Sequence, residues 1–162
     1  MALPSTSVER LRFDDDTAFT LADDAATIHR IVRTVTAERL RATKLDQWSA
    51  LEVIGHLADA AEIFADRVQA CVDTDRPTIA SYDQDELAAA RRNNERDPME
   101  LARRLDAGHH RIVELLMKSE NRSRPAVHSA WGQVDAGHFG AYQADHSRGH
   151  VTALAALFPP AN

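Results

Sequence analysis

The spacing of the apolar residues is the feature that most constrains this chain. In four long segments the apolar side chains return every three or four positions, which is the repeat of a helix with one buried face. Alternating β-branched and aromatic residues, the pattern of a half-buried strand, are almost absent, and only six Gly and six Pro interrupt the sequence. The sequence therefore predicts an all-α protein, a four-helix bundle in which the apolar faces meet.

Capping residues mark where the helices begin. The first helix follows the acidic run 14–16 with Asp16 or Thr17 as its cap, because negative side chains favour a helix N-terminus. Ser49 and Glu52 form a capping box at the second helix, and Asp97 followed by proline opens the third. The predicted helices span about 17–44, 50–76, 98–119 and 135–158, with a short helix near 85–92 and a loop over 121–134. We expect one domain at 17–158, an N-terminal extension at 1–16 and a tail at 159–162.

Charge and cysteine content exclude several classes of protein. The chain has 19 Lys and Arg against 25 Asp and Glu, a net charge of -6, which argues against a nucleic-acid partner. Its single cysteine, Cys71, excludes an internal disulfide and a cysteine-rich metal site. Because Cys71 follows the apolar stripe, we expect it in the core and not as a nucleophile. The sequence shows neither a signal peptide nor an apolar run of about 18 residues, so we expect a cytoplasmic protein without a membrane partner.

Three histidines occupy positions where the helical pattern calls for apolar side chains. His146 and His150 lie one turn apart on the fourth helix, about 6 Å along its axis and about 40° around it, so both rings can reach one metal ion. His56 has the same inward phase on the second helix. Imidazoles inside a bundle must be hydrogen-bonded, charged or bound to a metal. Three histidine ligands with an open fourth position are typical of a catalytic metal site.

The other five histidines follow no common pattern. His109 and His110 are adjacent and point about 100° apart on a helix, so we expect them on the surface, and His29 on the flank of the first helix. His128 and His138 lie near the start of the fourth helix and can line the mouth of a cleft. No Glu stands three residues before any histidine, which argues against a di-iron carboxylate site.

Two stretches of the sequence resemble the DinB/YfiT-like metalloenzyme superfamily, and the similarity extends over roughly 20–158. They are Trp48-Ser49-Ala50-Leu51-Glu52-Val53-Ile54-Gly55-His56-Leu57-Ala58-Asp59 and Asp145-His146-Ser147-Arg148-Gly149-His150. The resemblance implies an up-down-down-up four-helix bundle that binds one divalent metal ion through His56, His146 and His150. It also implies a homodimer.

The resemblance further implies a reaction on a small molecule. Characterised members of the superfamily use a low-molecular-weight thiol, either to transfer bacillithiol to an electrophile or to isomerise maleylpyruvate with mycothiol. We therefore expect a metal-dependent thiol S-transferase or isomerase. A hydrolase that uses metal-hydroxide chemistry and a non-enzymatic metal-binding stress protein remain open, since all three share the same ligands. Zinc is the first choice for a four-coordinate site, and nickel and iron also suit imidazole ligands.

Three further side chains flank the histidines, and none is identified as catalytic. Asp59 and Glu52 lie one turn after and one turn before His56, where each can accept a hydrogen bond from the ring. Glu52 already caps its helix, so Asp59 is the better candidate. Tyr142 lies one turn before His146 and can donate to a bound substrate or pack as a core aromatic residue.

Overall fold

This computed structural model describes residues 9–161 of the chain, which include six α-helices and five short strands. The helices are α1 Asp15–Thr34, α2 Ala37–Ala42, α3 Ala50–Asp73, α4 Gln84–Arg91, α5 Pro98–Leu116 and α6 Ala136–Leu157. The strands are β1 Lys44–Leu45, β2 Trp48–Ser49, β3 Thr78–Ile79, β4 Pro125–His128 and β5 Gly132–Asp135. The long helices α1, α3, α5 and α6 form the bundle, so the predicted helical bundle is confirmed. None of the helices in this part of the chain is long and apolar enough to cross a membrane.

The capping residues start the helices largely as the sequence predicts. The Ser49 hydroxyl accepts a hydrogen bond from the Glu52 N–H at 3.1 Å, and the Glu52 carboxylate accepts one from the Ser49 N–H at 3.0 Å. The first helix is different, because its cap is Asp14 and not Asp16 or Thr17. The Asp14 carboxylate accepts from the Thr17 N–H at 2.9 Å.

Side-chain contacts define the directions in which the long helices run past each other. Between α3 and α6 the pairs are His56 with His146 and Phe64 with Tyr142. Between α3 and α5 they are Asp59 with Arg104 and Asp66 with Arg111. Between α1 and α6 they are Asp23 with Arg148 and Arg30 with the carbonyl of Phe158, the cap residue that follows α6. Residue numbers rise together between α3 and α5 and between α1 and α6, so each of these pairs is parallel. They change in opposite directions between α3 and α6, which are antiparallel neighbours.

Two small sheets correct the all-α prediction. Strands β1 and β2 form an antiparallel pair, while β4 pairs antiparallel with β5 and parallel with β3. The segment predicted as a loop, 121–134, therefore holds a hairpin whose inward residues Ala126 and Val134 are buried. These strands are two to four residues long, too short for an alternating pattern to stand out, and β3 finds its partner far along the chain.

The predicted first helix is split in two. The sequence predicts that it continues to about Lys44, but α1 ends at Thr34 and α2 begins at Ala37. The β-branched run 34–36 disfavours the helical backbone, and the Thr36 hydroxyl accepts the Arg39 N–H at 3.2 Å and so caps a new helix.

The apolar core consists of two clusters stacked along the bundle. One is built around Leu57 and Val151, and the other around Phe64 and Phe139. On α6 the histidines at 146 and 150 fall between the two clusters. On α3, by contrast, His56 lies among residues of the first cluster, and the packing of that cluster positions the candidate site.

Candidate metal centre

His56, His146 and His150 converge at one point between α3 and α6. Each offers one ring nitrogen, and these nitrogens all lie within 4.8 Å of one another. The Nε2 atoms of His56 and His146 are 3.0 Å apart. The ring of His150 lies 5.2 Å from that of His56 and 4.8 Å from that of His146, centroid to centroid. The structure thus brings together the three histidines that the sequence singles out.

The cluster lies at the edge of the core and not at its centre. His56 is buried, with 3% of its surface exposed, whereas His146 and His150 are partly exposed. The helical repeat that predicts His146 and His150 to face inward also predicts Leu157 to face inward, but Leu157 is 41% exposed, so the buried face of α6 is displaced from the predicted one. The buried face of α6 includes Gln143, Ser147, Val151 and Leu154. Since the two α6 histidines border this face, their rings can be reached from outside the bundle.

Burial keeps the three imidazoles neutral. It lowers the pKa of His56 to about 4, with a smaller contribution from the charge of His150. Burial and then the charges of His56 and His150 lower the pKa of His146 to about 3, and burial lowers the pKa of His150. Neutral imidazole carries the lone pair that a metal ion requires.

The donor set of the cluster fits a divalent metal ion. The Nδ1 atom of His146 is buried and has no hydrogen-bond partner among the described residues. Two neutral rings facing each other at 3.0 Å through Nε2 can share a proton or a cation. Three imidazole nitrogens suit zinc, nickel or iron.

Asp59 and Glu52 lie near His56 but are bonded elsewhere. The Asp59 carboxylate accepts from Arg104 at 2.7 Å and from Asn93 at 3.1 Å, while the Glu52 carboxylate accepts from the backbone of its own cap residue. Asp59 follows His56 by three residues, which rotates it about 60° around the helix towards α5. No hydrogen bond joins either carboxylate to a histidine of the cluster in the part of the chain that the structure describes.

A cleft of about 200 Å³ opens beside the cluster. Tyr142 lies in its wall and stacks on Phe64 at 5.4 Å between ring centroids, with the planes 14° apart. Tyr142 therefore packs as an aromatic residue and also faces the cleft. His146 lines the same cleft, which connects the histidine cluster to an aromatic chamber. The other lining residues include Arg67, Tyr82, His128 and Trp131.

Two residues of the cleft, Arg67 and Trp131, are not among the site residues that the sequence predicts. His128, predicted at the mouth of a cleft, does line this one. A signal for Arg67 was present, since it follows Phe64 by three residues and shares its inward face on α3. No helical repeat includes Trp131, because it lies in the turn between β4 and β5, and the hairpin brings it to the cleft.

His109 contradicts its prediction as a surface residue. Its side chain is buried, and its Nδ1 donates to the Leu21 carbonyl at 2.8 Å. Its Nε2 accepts from the Gln143 amide at 3.1 Å. Gly108, directly before it, packs against Ala61 of α3. His109 lies about 100° further around α5 and therefore faces α1 and α6. Its neighbour His110 is exposed, as predicted.

Comparisons with known proteins agree with this architecture. The model of the DinB superfamily matches residues 20–154. The solved structure of YfiT from Bacillus subtilis, described as a probable metal-dependent hydrolase with an unusual four-helix bundle topology, superposes with a TM-score of 0.73 at 21% identity. The match covers 99% of this chain and 94% of YfiT, and at this identity it shows a shared fold. A search of curated proteins gives no match. The family match spans most of the chain, and the protein therefore belongs to the DinB superfamily.

Proposed function

We propose that this protein is a divalent-metal-dependent enzyme in which His56, His146 and His150 hold the metal ion. The observation that carries the proposal is the convergence of three neutral imidazole nitrogens within 4.8 Å, from two helices, beside an open cleft. Zinc is the first choice, because three imidazoles leave one position of a tetrahedral site for a substrate or cofactor. Nickel and iron are the alternatives.

The proposed reaction joins a low-molecular-weight thiol, such as mycothiol or bacillithiol, to a small electrophile or isomerises a thiol adduct. When bound, the metal ion would lower the pKa of a thiol or of water and so supply a nucleophile near neutral pH. The protein's own cysteine is not a candidate nucleophile. Cys71 is buried, and burial raises the pKa of its thiol to about 11. The sulfur must therefore come from a small molecule.

The protein's residues would bind and orient the reactants. The three imidazoles, kept neutral by burial, direct lone pairs to one point. Phe64 and Tyr142 offer stacked aromatic surface next to that point, which suits an apolar or aromatic substrate and excludes water from it. No side chain of the chain is assigned as a general acid or base.

Metal-dependent hydrolysis is the second candidate. It is favoured by the fold shared with YfiT, which is described as a probable metal-dependent hydrolase. The same open site would then activate water in place of a thiol. A non-enzymatic metal-binding role is the third candidate, and metal binding without turnover would support it.

Metal analysis tests the premise that all three candidates share. We expect purified wild-type protein to hold about one metal ion per chain and His150→Ala to lose most of it, because two imidazoles chelate less tightly than three. His110→Ala is the matched control, since this histidine is exposed on α5. Equal metal content in His150→Ala and wild type would contradict the ligand assignment.

A substrate screen separates the reactions. Wild-type protein would be assayed with a chlorinated aromatic electrophile in the presence of mycothiol, bacillithiol or glutathione, and separately with aryl esters without thiol. Thiol-dependent turnover that is lost in His150→Ala supports the first candidate, and ester cleavage alone supports the second. Absence of thiol-dependent turnover with every thiol contradicts the first.

Two further expectations belong to this proposal. The directions of the helix pairs support the up-down-down-up order of α1, α3, α5 and α6. The homodimer rests on the family resemblance, and light scattering during gel filtration tests it.

A further inference from the structure

Arg67 is a buried positive charge in the cleft. Its side chain is 7% exposed, and one of its N–H groups donates to the Ala80 carbonyl at 2.9 Å. Burial lowers the pKa of its guanidinium, although an arginine remains charged in a protein at neutral pH. Taking such a charge out of water is unfavourable unless a negative group compensates it.

No carboxylate of the described residues lies within ion-pairing distance of Arg67. Aromatic rings surround the guanidinium instead, with Phe64 at 4.8 Å and Tyr82 and Phe139 each at 5.6 Å from its central carbon. Arg104 on α5 shows the contrast, because Asp59 and Glu62 both accept its N–H groups at 2.7 Å. Arg67 therefore has cation–π partners and one carbonyl, but no counter-ion of its own.

The position of Arg67 relates it to the histidine cluster. It follows His56 by eleven residues on α3, which is three turns and about 16 Å along the axis, on nearly the same face. The stacked rings of Phe64 and Tyr142 lie between the two. The cleft thus has His146 of the histidine cluster at one end, aromatic walls in the middle and the Arg67 guanidinium beyond them.

A second donor lies in the same wall. The Nδ1 atom of His128 accepts from the backbone N–H groups of Ala130 and Trp131, each at 3.1 Å. A neutral imidazole that accepts at Nδ1 carries its hydrogen on Nε2. His128 therefore presents a donor, and not an acceptor, from its free side.

We propose that Arg67 binds an anionic group of the substrate, which is a small carboxylate with an aromatic or apolar body. The carboxylate supplies the counter-ion that the guanidinium lacks, the body packs against Phe64 and Tyr142, and the opposite end reaches the histidine cluster. This inference rests on the proposed function in that the same cleft serves as the substrate site. It adds a specificity-determining residue and the charge of the substrate.

Calorimetric titration with cinnamate and its neutral amide, cinnamamide, tests the inference. Both have the same apolar body, so their difference reports the charge. We expect wild-type protein to bind cinnamate at least about 10-fold more tightly than cinnamamide, because a charge-assisted pair in a buried site is strong. Arg67→Gln should remove this preference, so that the two probes bind with similar affinity. Arg67→Lys should restore part of it.

Two arms distinguish Arg67 from the metal site and from a structural role. The titrations would be repeated on wild-type protein treated with a chelator, where a preference for cinnamate must persist if Arg67 causes it. Loss of the preference in that arm would assign the carboxylate to the metal and overturn the inference. Equal binding of the two probes by wild type, or an unchanged preference in Arg67→Gln, would also overturn it.

If Arg67→Gln fails to fold, the wild-type, chelated and Arg67→Lys titrations decide the question. Failure of the proposed function would appear separately, as wild-type protein without metal.

Discussion

His109 illustrates how one buried residue can link three helices. Its ring donates to the Leu21 carbonyl on α1 and accepts from Gln143 on α6, while its backbone belongs to α5. These two bonds require hydrogen on Nδ1 and a lone pair on Nε2, so the ring must stay neutral in the folded protein. Burial accordingly lowers the pKa of His109 to about 4.

Protonation of His109 should make the protein less stable in acid. Above about pH 6.5 the ring is neutral in both the folded and the unfolded chain. Between pH 6.5 and 4 mainly the unfolded chain binds the proton, so the free energy of unfolding decreases as the pH is lowered. The total decrease from this residue is on the order of 3 kcal/mol. Urea unfolding at pH 7 and pH 4.5 measures the effect. His109→Gln should lose less stability between the two pH values than wild type.

His110→Gln is the control for that experiment, because the adjacent histidine is exposed on the same helix. It should lose as much stability as wild type between pH 7 and pH 4.5. The same loss in His109→Gln as in wild type would contradict the assignment of a neutral ring.

At the level of the elements, the contact between α3 and α5 depends on a glycine. A Cβ atom at Gly108 would lie 2.8 Å from the backbone and from the Cβ of Ala61. Backbone atoms cannot move aside as a flexible side chain can, so any larger residue separates the two helices. This contact aligns α3 and α5 and thereby the part of α3 that carries His56. On α6, by contrast, Gly149 has no atom within 4 Å of its would-be Cβ.

Alanine substitutions at these two glycines should have opposite effects. Gly108→Ala should lower the free energy of unfolding by roughly 1–3 kcal/mol, because overpacking outweighs the gain in helix propensity. Gly149→Ala should raise it by up to about 1 kcal/mol, because only the propensity changes. Chemical unfolding at pH 7 measures both. A stabilised Gly108→Ala would show that the helices do not meet as closely as the structure has them.

For the whole molecule, the histidine cluster lies where two antiparallel helices meet at the edge of the apolar core. His56 belongs to α3, and the other two histidines belong to α6 between the two core clusters. An ion bound there would act as a cross-link between helices. Because the unfolded chain does not hold the three rings together, binding would favour the folded state.

Removal of the metal should therefore destabilise the protein. Metal at 100 times its dissociation constant adds about 2.7 kcal/mol to the free energy of unfolding, which for a chain of this size corresponds to a rise in Tm of roughly 5–10 °C. Thermal melts of chelated protein with and without added zinc would measure this rise. His56→Ala should show a much smaller rise. An equal rise in His56→Ala and wild type would point to zinc bound elsewhere.

Local patterns explain why much of the bundle can be predicted from the sequence. The capping box of Ser49 and Glu52 and the opening at Asp97 involve residues within one turn of each other, and both form as predicted. The apolar stripe of α3 and the inward phase of His56 also follow from a regular helical repeat. A regular repeat does not predict the split at 34–36, because the split depends on a side-chain hydrogen bond that competes with the helix. It does not predict strand β3 either, because that strand pairs with a segment far along the chain.

The sequence alone determined four helices, most of their starts, and three histidines with spacing suited to one metal ion. The tertiary structure decided which neighbours each face meets. In the folded protein Asp59 pairs with Arg104, and His109 is buried against α1 and α6. The buried face of α6 includes Ser147 and Val151 in place of the two histidines, and the cleft beside Arg67 is lined by residues of α3, α6 and the hairpin. The physical reason is range: helix periodicity and capping act within one or two turns, whereas burial and pairing of a polar side chain depend on residues that only folding brings near.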